Sequence, residues 1–185
     1  MEKGGEIMKK LVVFVGLMVL FCFALGAQMK MEPGASEKKA QVLLDKVLEM
    51  WNKPNLALIP ELYTADCVVT TSSMPTPFVG HEGIKMWIES TRAMMPDLVM
   101  AFPEVLAQRD KVVTVWTMTG TQSGPMVTPG GTMPATGKKV SISGMSIDYL
   151  KDGKFVKETV IFNVLEMMMQ MGFTLMPPQA PAPVK

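Results

Sequence analysis

The spacing of apolar residues changes from helical to strand-like along this chain of 185 residues, and that change constrains its fold more than any other feature. Apolar residues recur every three or four positions between 40 and 51 and again between 81 and 95, as in helices. A short helix is predicted over 56–62, a strand over 67–71 and a methionine-rich helix over 164–171. Four long strand-like stretches are predicted at 98–107, 111–121, 138–150 and 154–163. Helices followed by a meander of strands predict an α+β fold and not alternating βαβ units.

Two turn sequences predict that the long strands pair as antiparallel hairpins. Arg109-Asp110 separates the first two strands, and Asp152-Gly153 is a pair favoured in two-residue hairpin turns. The last strand is apolar on both faces, so its sheet needs cover on both sides. If the strand is regular, its interior face holds Thr159, Ile161 and Asn163. The outer face, which a second subunit would cover, is then expected to hold Val156, Val160 and Phe162.

Residues 1–27 have the pattern of a secretory signal peptide. Lys9 and Lys10 precede an apolar run over 11–24, and small residues follow it up to Ala27. This run is shorter than the roughly 20 apolar residues that a membrane-spanning helix needs, and a retained N-terminal anchor is the alternative. We therefore expect an exported protein, periplasmic or extracellular. Its parts would be a flexible leader over 28–36, a folded domain over 37–173 and a proline-rich tail over 174–185.

The composition excludes several classes of function. Without residues 1–27, fifteen basic and fifteen acidic residues remain, so no charge excess attracts nucleic acid or a membrane surface. One histidine and two cysteines are too few for the usual zinc sites, and no glycine-rich phosphate loop follows a strand. We expect no metal and no cofactor. Cys67 is predicted to be a buried strand residue, and the twenty methionines are either core filler or the wall of an adaptable apolar pocket.

Several short motifs stand in a fixed order between about residues 46 and 173. They are Trp51-Asn-Lys-Pro-Asn-Leu, Leu62-Tyr63, Gly80-His-Glu-Gly-Ile84, Arg92-Ala-Met-Met-Pro-Asp-Leu98, Asp110-Lys-Val-Val-Thr-Val-Trp-Thr-Met-Thr-Gly-Thr121, Pro134-Ala-Thr-Gly-Lys138, Asp152-Gly-Lys154, Glu158 and Gln170-Met-Gly172. Each motif is weak alone, but the ordered set is fairly specific. In this set the chain resembles the SnoaL-like polyketide cyclases.

This resemblance implies a nuclear-transport-factor-2-like cone, in which a strongly curved antiparallel sheet wraps around helices and encloses an apolar cavity. It also implies that the sheets of two subunits pack back to back in a homodimer. The cyclases of the family use an aspartate near the end of the last strand as acid and base in an intramolecular aldol closure. Asn163 stands at that position here. Two histidines of the pattern are replaced as well, by Thr70 or Thr71 and by Gln122.

Because an amide does not transfer protons near neutral pH, these replacements predict a cavity that has lost its titrating groups. The substrate-binding residues expected in or beside that cavity are Asn163, Gln122, Trp116, Thr71, Tyr63 and Arg92. Arg92 has a second interpretation, as a partner of the helix dipole or of Asp97. Asp148 is the alternative base if its side chain points inwards, whereas a surface position beside Lys139 or Lys157 costs less free energy.

Two functions therefore remain open. The first is an exported protein that binds a small apolar or carbonyl-containing molecule without classical aldol cyclase activity. The second is an active ester cyclase or isomerase whose base is not the missing aspartate, with Asp148 as the candidate. The position of Asp148 relative to the cavity discriminates between them. The loop over 122–137 is expected to control access to the cavity.

Overall fold

The computed structural model describes residues 35–128 and 130–174 of the chain. Its helices are α1 (Ala35–Asn52), a 3₁₀ helix (Leu56–Leu58), α2 (Ile59–Leu62), α3 (Gly80–Met94) and α4 (Val164–Gln170). All of them overlap the predicted helices, but α1 begins at Ala35, within the leader predicted over 28–36. Among the described residues, no helix is both long and apolar enough to cross a membrane. The signal peptide predicted over 1–27 and the tail from 175 onwards lie outside the described residues and stay predictions.

Six strands form the main sheet, in the order β2-β1-β8-β7-β4-β3. They are β1 (Tyr63–Thr71), β2 (Met74–Val79), β3 (Val99–Gln108), β4 (Lys111–Thr121), β7 (Lys139–Lys151) and β8 (Lys154–Phe162). Two short strands, β5 (Met126–Thr128) and β6 (Gly131–Met133), form a separate hairpin. The sequence predicts the long strands but not β2, an edge strand with two prolines. The sheet was expected to be antiparallel throughout, but β1 and β8 pair in parallel.

The ladder between β7 and β8 contains one irregularity that matters for the site. Leu150 pairs with Phe155, but Tyr149, which precedes Leu150 on β7, pairs with Lys157. Val156 is therefore an extra residue on β8 and forms a β-bulge. From this bulge onwards, each residue of β8 pairs with the β7 residue that is one position closer to the turn than in a regular hairpin.

The structure also corrects the faces predicted for β8. Val160 and Phe162 face the interior, whereas Ile161 is 53% exposed on the outer face. The ring of Phe162 packs edge-on against Trp116, with ring centroids 5.8 Å apart. The predictions that Val160 and Phe162 lie outside and that Thr159 and Ile161 lie inside are therefore wrong. Those predictions assumed that β8 continues to Asn163 and that this residue points inwards. In the structure β8 ends at Phe162, and Asn163 is the N-cap residue of α4.

The helices pack on the interior face of the sheet and share one hydrophobic core with it. Fully buried members from helices and strands include Leu44, Met50, Ile84, Ile88 and Val69. Cys67 belongs to this core, which confirms its predicted position. Burial raises the pKa of its thiol to about 12, so the group is neutral and unreactive near neutral pH.

Candidate active site

A cavity of about 480 Å³ lies between the helices and the interior face of the sheet. This volume falls within the usual range for small-molecule sites. Eight methionines and eight aromatic residues form much of its wall. They are Met74, Met86, Met94, Met100, Met118, Met126, Met167 and Met168, with Trp51, Tyr63, Phe78, Trp87, Phe102, Trp116, Phe155 and Phe162. The methionines of this set therefore line a pocket, as one of the two interpretations of the sequence proposed.

Two carboxyl groups lie side by side in the wall of this apolar cavity. Asp148 on β7 and Glu158 on β8 are direct cross-strand partners, so both side chains point to the same face of the sheet. Both line the cavity, and they are only 3% and 9% exposed. The side chain of Asp148 is therefore buried and inward, and the alternative surface position beside a lysine is wrong.

The two carboxyl groups differ in their hydrogen bonds. The Tyr63 hydroxyl donates to Oε2 of Glu158 at 3.4 Å, and the Ser146 hydroxyl donates to Oε1 at 3.4 Å. Oδ1 of Asp148 is buried and has no hydrogen-bond partner among the described residues. A buried acceptor without a partner is costly, and it marks a position where a ligand can donate or accept a hydrogen bond.

Burial and proximity shift both acids towards their protonated forms. Burial raises the pKa of Glu158 to about 7, although the hydrogen bonds from Tyr63 and Ser146 oppose that shift. Burial, and after it the charge of Glu158, raises the pKa of Asp148 well above its ordinary value. Both acids therefore keep their protons to higher pH than free carboxyl groups do, and a pKa near 7 for Glu158 suits acid and base catalysis.

The hydroxyl group of Tyr63 stays protonated beside this pair. Its burial, together with the negative charges of the two carboxyl groups, raises the pKa of the phenol well above 10. It therefore acts as a hydrogen-bond donor to Glu158 throughout the pH range of ordinary enzymes. No group of three or more His, Cys, Asp or Glu side chains in the described ranges is placed to hold a metal ion.

The structure brings together some of the residues expected to bind substrate. Tyr63, Thr71, Trp116 and the alternative residue Asp148 all line the cavity. Gln122, Arg92 and Asn163 do not line it, so their expected positions are corrected.

Each of the three displaced residues has a structural contact instead. Arg92 donates to the backbone oxygens of Trp51, Pro96 and Leu98, at 2.6, 2.8 and 3.3 Å. Asn163 is exposed, and its Oδ1 accepts the backbone N–H of Glu166 at 3.0 Å, which caps α4. Asn163 therefore has the role of a helix cap and not of an acid or base at the cavity.

Gln122 holds the base of the loop that was expected to control access. Its side chain is 1% exposed, and Nε2 donates to the backbone oxygens of Gly124 and Pro134 at 2.8 and 3.2 Å. Its Oε1 accepts from the backbone N–H and the hydroxyl of Thr136. The β5–β6 hairpin projects from this base, and Met126, Val127 and Thr128 of the hairpin line the cavity. The polar side chain of Gln122 thus shapes the loop and not the ligand site.

Glu158 is the functional residue that sequence reasoning missed. It stands in the resemblance motif, but the regular alternation of β8 placed it on the outer face. In a regular hairpin, Lys157 would lie opposite Asp148 and would neutralise it. The bulge at Val156 places Glu158 there instead. The signal that could have found it is the acidic residue itself, which interrupts a strand that is otherwise rich in apolar residues.

Comparison with known proteins supports the same fold. The profile of the SnoaL-like polyketide cyclase family matches residues 41–171, whereas no curated protein sequence matches the chain. TsrD from Streptomyces laurentii superposes with a TM-score of 0.64 and 22% identity, over 76% of this chain and 98% of that one. A protein from Jannaschia sp. CCS1 assigned as a SnoaL-like polyketide cyclase superposes with a TM-score of 0.64 and 19% identity, over 80% of this chain and 99% of that one.

A third solved structure, assigned as a polyketide cyclase from Acidithiobacillus ferrooxidans, has a TM-score of 0.62 and 23% identity. It covers 76% of this chain and 98% of its own. At this level of identity, the likeness to the solved structures defines the fold and not the activity. The predicted nuclear-transport-factor-2-like α+β fold is confirmed.

Proposed function

The chain belongs to the SnoaL-like polyketide cyclase family, and from its cavity we propose an enzyme that moves a proton at a carbon atom next to a carbonyl group. The observation that carries this proposal is the buried pair of Asp148 and Glu158 in the cavity wall, where one oxygen of Asp148 has no hydrogen-bond partner among the described residues. The expectation of a binding protein without catalysis depended on a cavity without titrating groups. Because this cavity holds two carboxyl groups, the second of the two open functions is favoured.

The hydrogen bonds assign different roles to the two acids. Glu158 accepts from two hydroxyl groups, which stabilise its ionised form, so it serves as the general base. Asp148 has no such donors among the described residues, and both its burial and the charge of Glu158 oppose its ionisation, so we assign it the role of the protonated acid. A carboxylic acid that is kept neutral by an apolar site can donate a hydrogen bond to a carbonyl oxygen.

The proposed step balances within the cavity. The Glu158 carboxylate removes a proton from the carbon next to the substrate carbonyl, and the electron pair of that C–H bond forms a carbon–carbon double bond. The carbonyl oxygen gains the negative charge and is stabilised by the proton of Asp148. The enolate carbon then either recovers a proton from Glu158, which gives an isomer, or adds to a second carbonyl group, which closes a ring as in the family's name. After ring closure, the new alkoxide oxygen takes the proton that Glu158 holds, and the carboxylate is restored. Both outcomes share the first proton transfer.

The test measures that shared first step with a simple ketone. Binding of 2-tetralone and of larger fused-ring ketones is followed by fluorescence, since Trp51, Trp87 and Trp116 all line the cavity. For a ketone that binds, NMR in deuterated buffer then measures deuterium entry next to the carbonyl group. We expect exchange about 10²–10⁴-fold faster than in buffer. A bound ketone that exchanges no faster than in buffer would contradict the enzyme and favour the binding protein.

We also propose that two copies of the chain pair through the outer face of the sheet. In cross-strand register, Val113 lies between Leu106 and Ile147, and Met145 lies between Val115 and Ile161. Leu106, Met145 and Ile161 are about half exposed. These six side chains form an apolar surface on the face opposite the cavity, and soluble monomers seldom expose such surfaces.

The assembly is tested by a charge within that surface. Ile161→Lys is expected to convert a dimer into a folded monomer, because burial of an unpaired ammonium group in an apolar interface is unfavourable. Light scattering at micromolar concentration gives the mass, and circular dichroism reports the fold. Val42→Lys is the matched control, since Val42 is 64% exposed on helix α1. A wild-type protein that is monomeric under these conditions would contradict the pairing.

A further inference from the structure

The charges in the cavity wall have one sign only. Among the described residues that line the cavity, no lysine, arginine or histidine occurs, and the two ionisable acids are Asp148 and Glu158. A ligand with a carboxylate or phosphate group would meet no cation there and would face a pair that is itself anionic. The cavity therefore disfavours anions on electrostatic grounds.

An organic cation would instead be attracted by the two carboxyl groups. Asp148 lines the cavity and its Oδ1 has no hydrogen-bond partner among the described residues, so the positive charge of an ammonium group beside this side chain would compensate a carboxylate that no described cation neutralises. Two aromatic rings flank this end of the cavity, since Tyr63 bonds to Glu158 and its ring lies 5.1 Å from that of Phe155. Aromatic faces attract ammonium ions in addition to the carboxylates.

We propose that this cavity is also a binding site for lipophilic organic ammonium ions, which occupy the carboxyl end with their charge and the methionine-lined wall with their apolar part. Two observations carry this inference together: the Asp148 oxygen without a hydrogen-bond partner among the described residues, and a cavity wall whose described ionisable groups include acids but no cation. Neither observation requires that the protein catalyses a reaction. Flexible thioether side chains adapt to apolar groups of different shapes, so the charge and not a particular skeleton defines the ligand class.

The pH dependence of this binding follows from the groups around the pair. Among the described residues, the titratable side chains that face Asp148 and Glu158 are Tyr63 and Cys67, both on β1. Their pKa values lie well above neutrality, so they stay uncharged while the two acids ionise. The attraction for a permanent cation should therefore grow as the pH rises through the titration of the pair and should vanish in acid.

Three probes of nearly the same shape separate charge from apolar contact. Benzyltrimethylammonium is a permanent cation, neopentylbenzene is its uncharged carbon analogue, and 3-phenylpropanoate is an anion of similar size. Titration of the purified protein, followed by tryptophan fluorescence at about pH 9, should show the cation bound about tenfold more tightly than the carbon analogue. The anion should bind more weakly than either. At about pH 5 the preference for the cation should be lost.

Substitutions test whether the carboxyl pair is the cause. The double variant Asp148→Asn with Glu158→Gln keeps the shape of both side chains and should show no preference for the cation at any pH. Glu89→Gln removes one exposed carboxylate on α3 and serves as the control that keeps the preference. Equal or tighter binding of neopentylbenzene to the wild type at about pH 9 would overturn the proposal, as would a cation preference that survives in the double variant.

The pH series in the wild type keeps the test decisive if the double variant does not fold. Failure of the proposed enzyme function is distinguishable from failure of this inference. A protein without ketone exchange that still prefers the cation retains the ammonium site, whereas active exchange without a cation preference contradicts the site alone.

Discussion

Glu158→Gln is expected to lower protein-catalysed deuterium exchange into a bound ketone by about 10²–10⁴-fold, the usual contribution of a general base. The amide keeps the size of the side chain and can still contact Tyr63 and Ser146, but it cannot accept a proton. Asp148→Asn should cause a smaller loss, since its amide still donates a hydrogen bond to the carbonyl oxygen. Comparison of the exchange rates of the two variants with that of Glu89→Gln gives the measurement and its control.

The pH profile of the exchange rate separates catalysis from mere support of the fold. In the wild type the rate should rise to about pH 7 as Glu158 loses its proton. It should fall again at higher pH, when Asp148 ionises and can no longer donate. Asp148→Asn should remove that fall. An unchanged profile in Asp148→Asn, or exchange in Glu158→Gln within about twofold of the wild type, would contradict the assigned roles.

The free energy of unfolding is expected to decrease by about 3 kcal/mol as the pH rises from about 4.5 to about 7. The pKa of Glu158 is 4.5 in an unfolded chain and about 7 in the fully buried site, so the folded protein binds the extra proton between these values. That proton stabilises the folded state at low pH, and the stabilisation is lost as the pH rises through the pKa of the buried acid. Asp148, whose pKa is also raised, acts in the same direction.

Chemical denaturation at a series of pH values measures this slope. Glu158→Gln should flatten it and should leave the variant more stable than the wild type at about pH 8, although the same variant loses activity. The pKa values of the exposed residues Asp66 and Asp97 are lowered by hydrogen bonds, so their opposite effects are confined to pH values below about 4. A wild type whose stability is constant or increases between about pH 4.5 and 7 would show that the pair is not buried as described.

This combination of effects has a simple physical origin. A carboxyl pair in an apolar wall reduces stability at neutral pH, because ionisation must occur away from water. The same environment brings the pKa of the base near 7, where it can both accept and release a proton. A residue that increases stability when it is neutralised and abolishes activity at the same time is expected at a functional site.

The sequence by itself determined the order of helices and long strands, the hairpin at 152–153 and the burial of Cys67. These features depend on local causes: the apolar period, the turn residues and the small apolar side chain. The positive φ angles of Asp152 and Gly153, 52° and 77°, fit the turn that their sequence predicts. The ordered motifs over 46–173 also carried the family and its fold.

Only the tertiary structure decided which side chains meet in the cavity. A hairpin of regular register would place Lys157 opposite Asp148, on the same interior face, and an ion pair would replace the pair of acids. One extra residue at Val156 changes the partner to Glu158 and turns the acid inwards. No local rule sets the position of such a bulge, because it results from the curvature of the whole sheet around its helices. The charge of the site therefore depends on a one-residue shift in register that periodicity alone does not reveal.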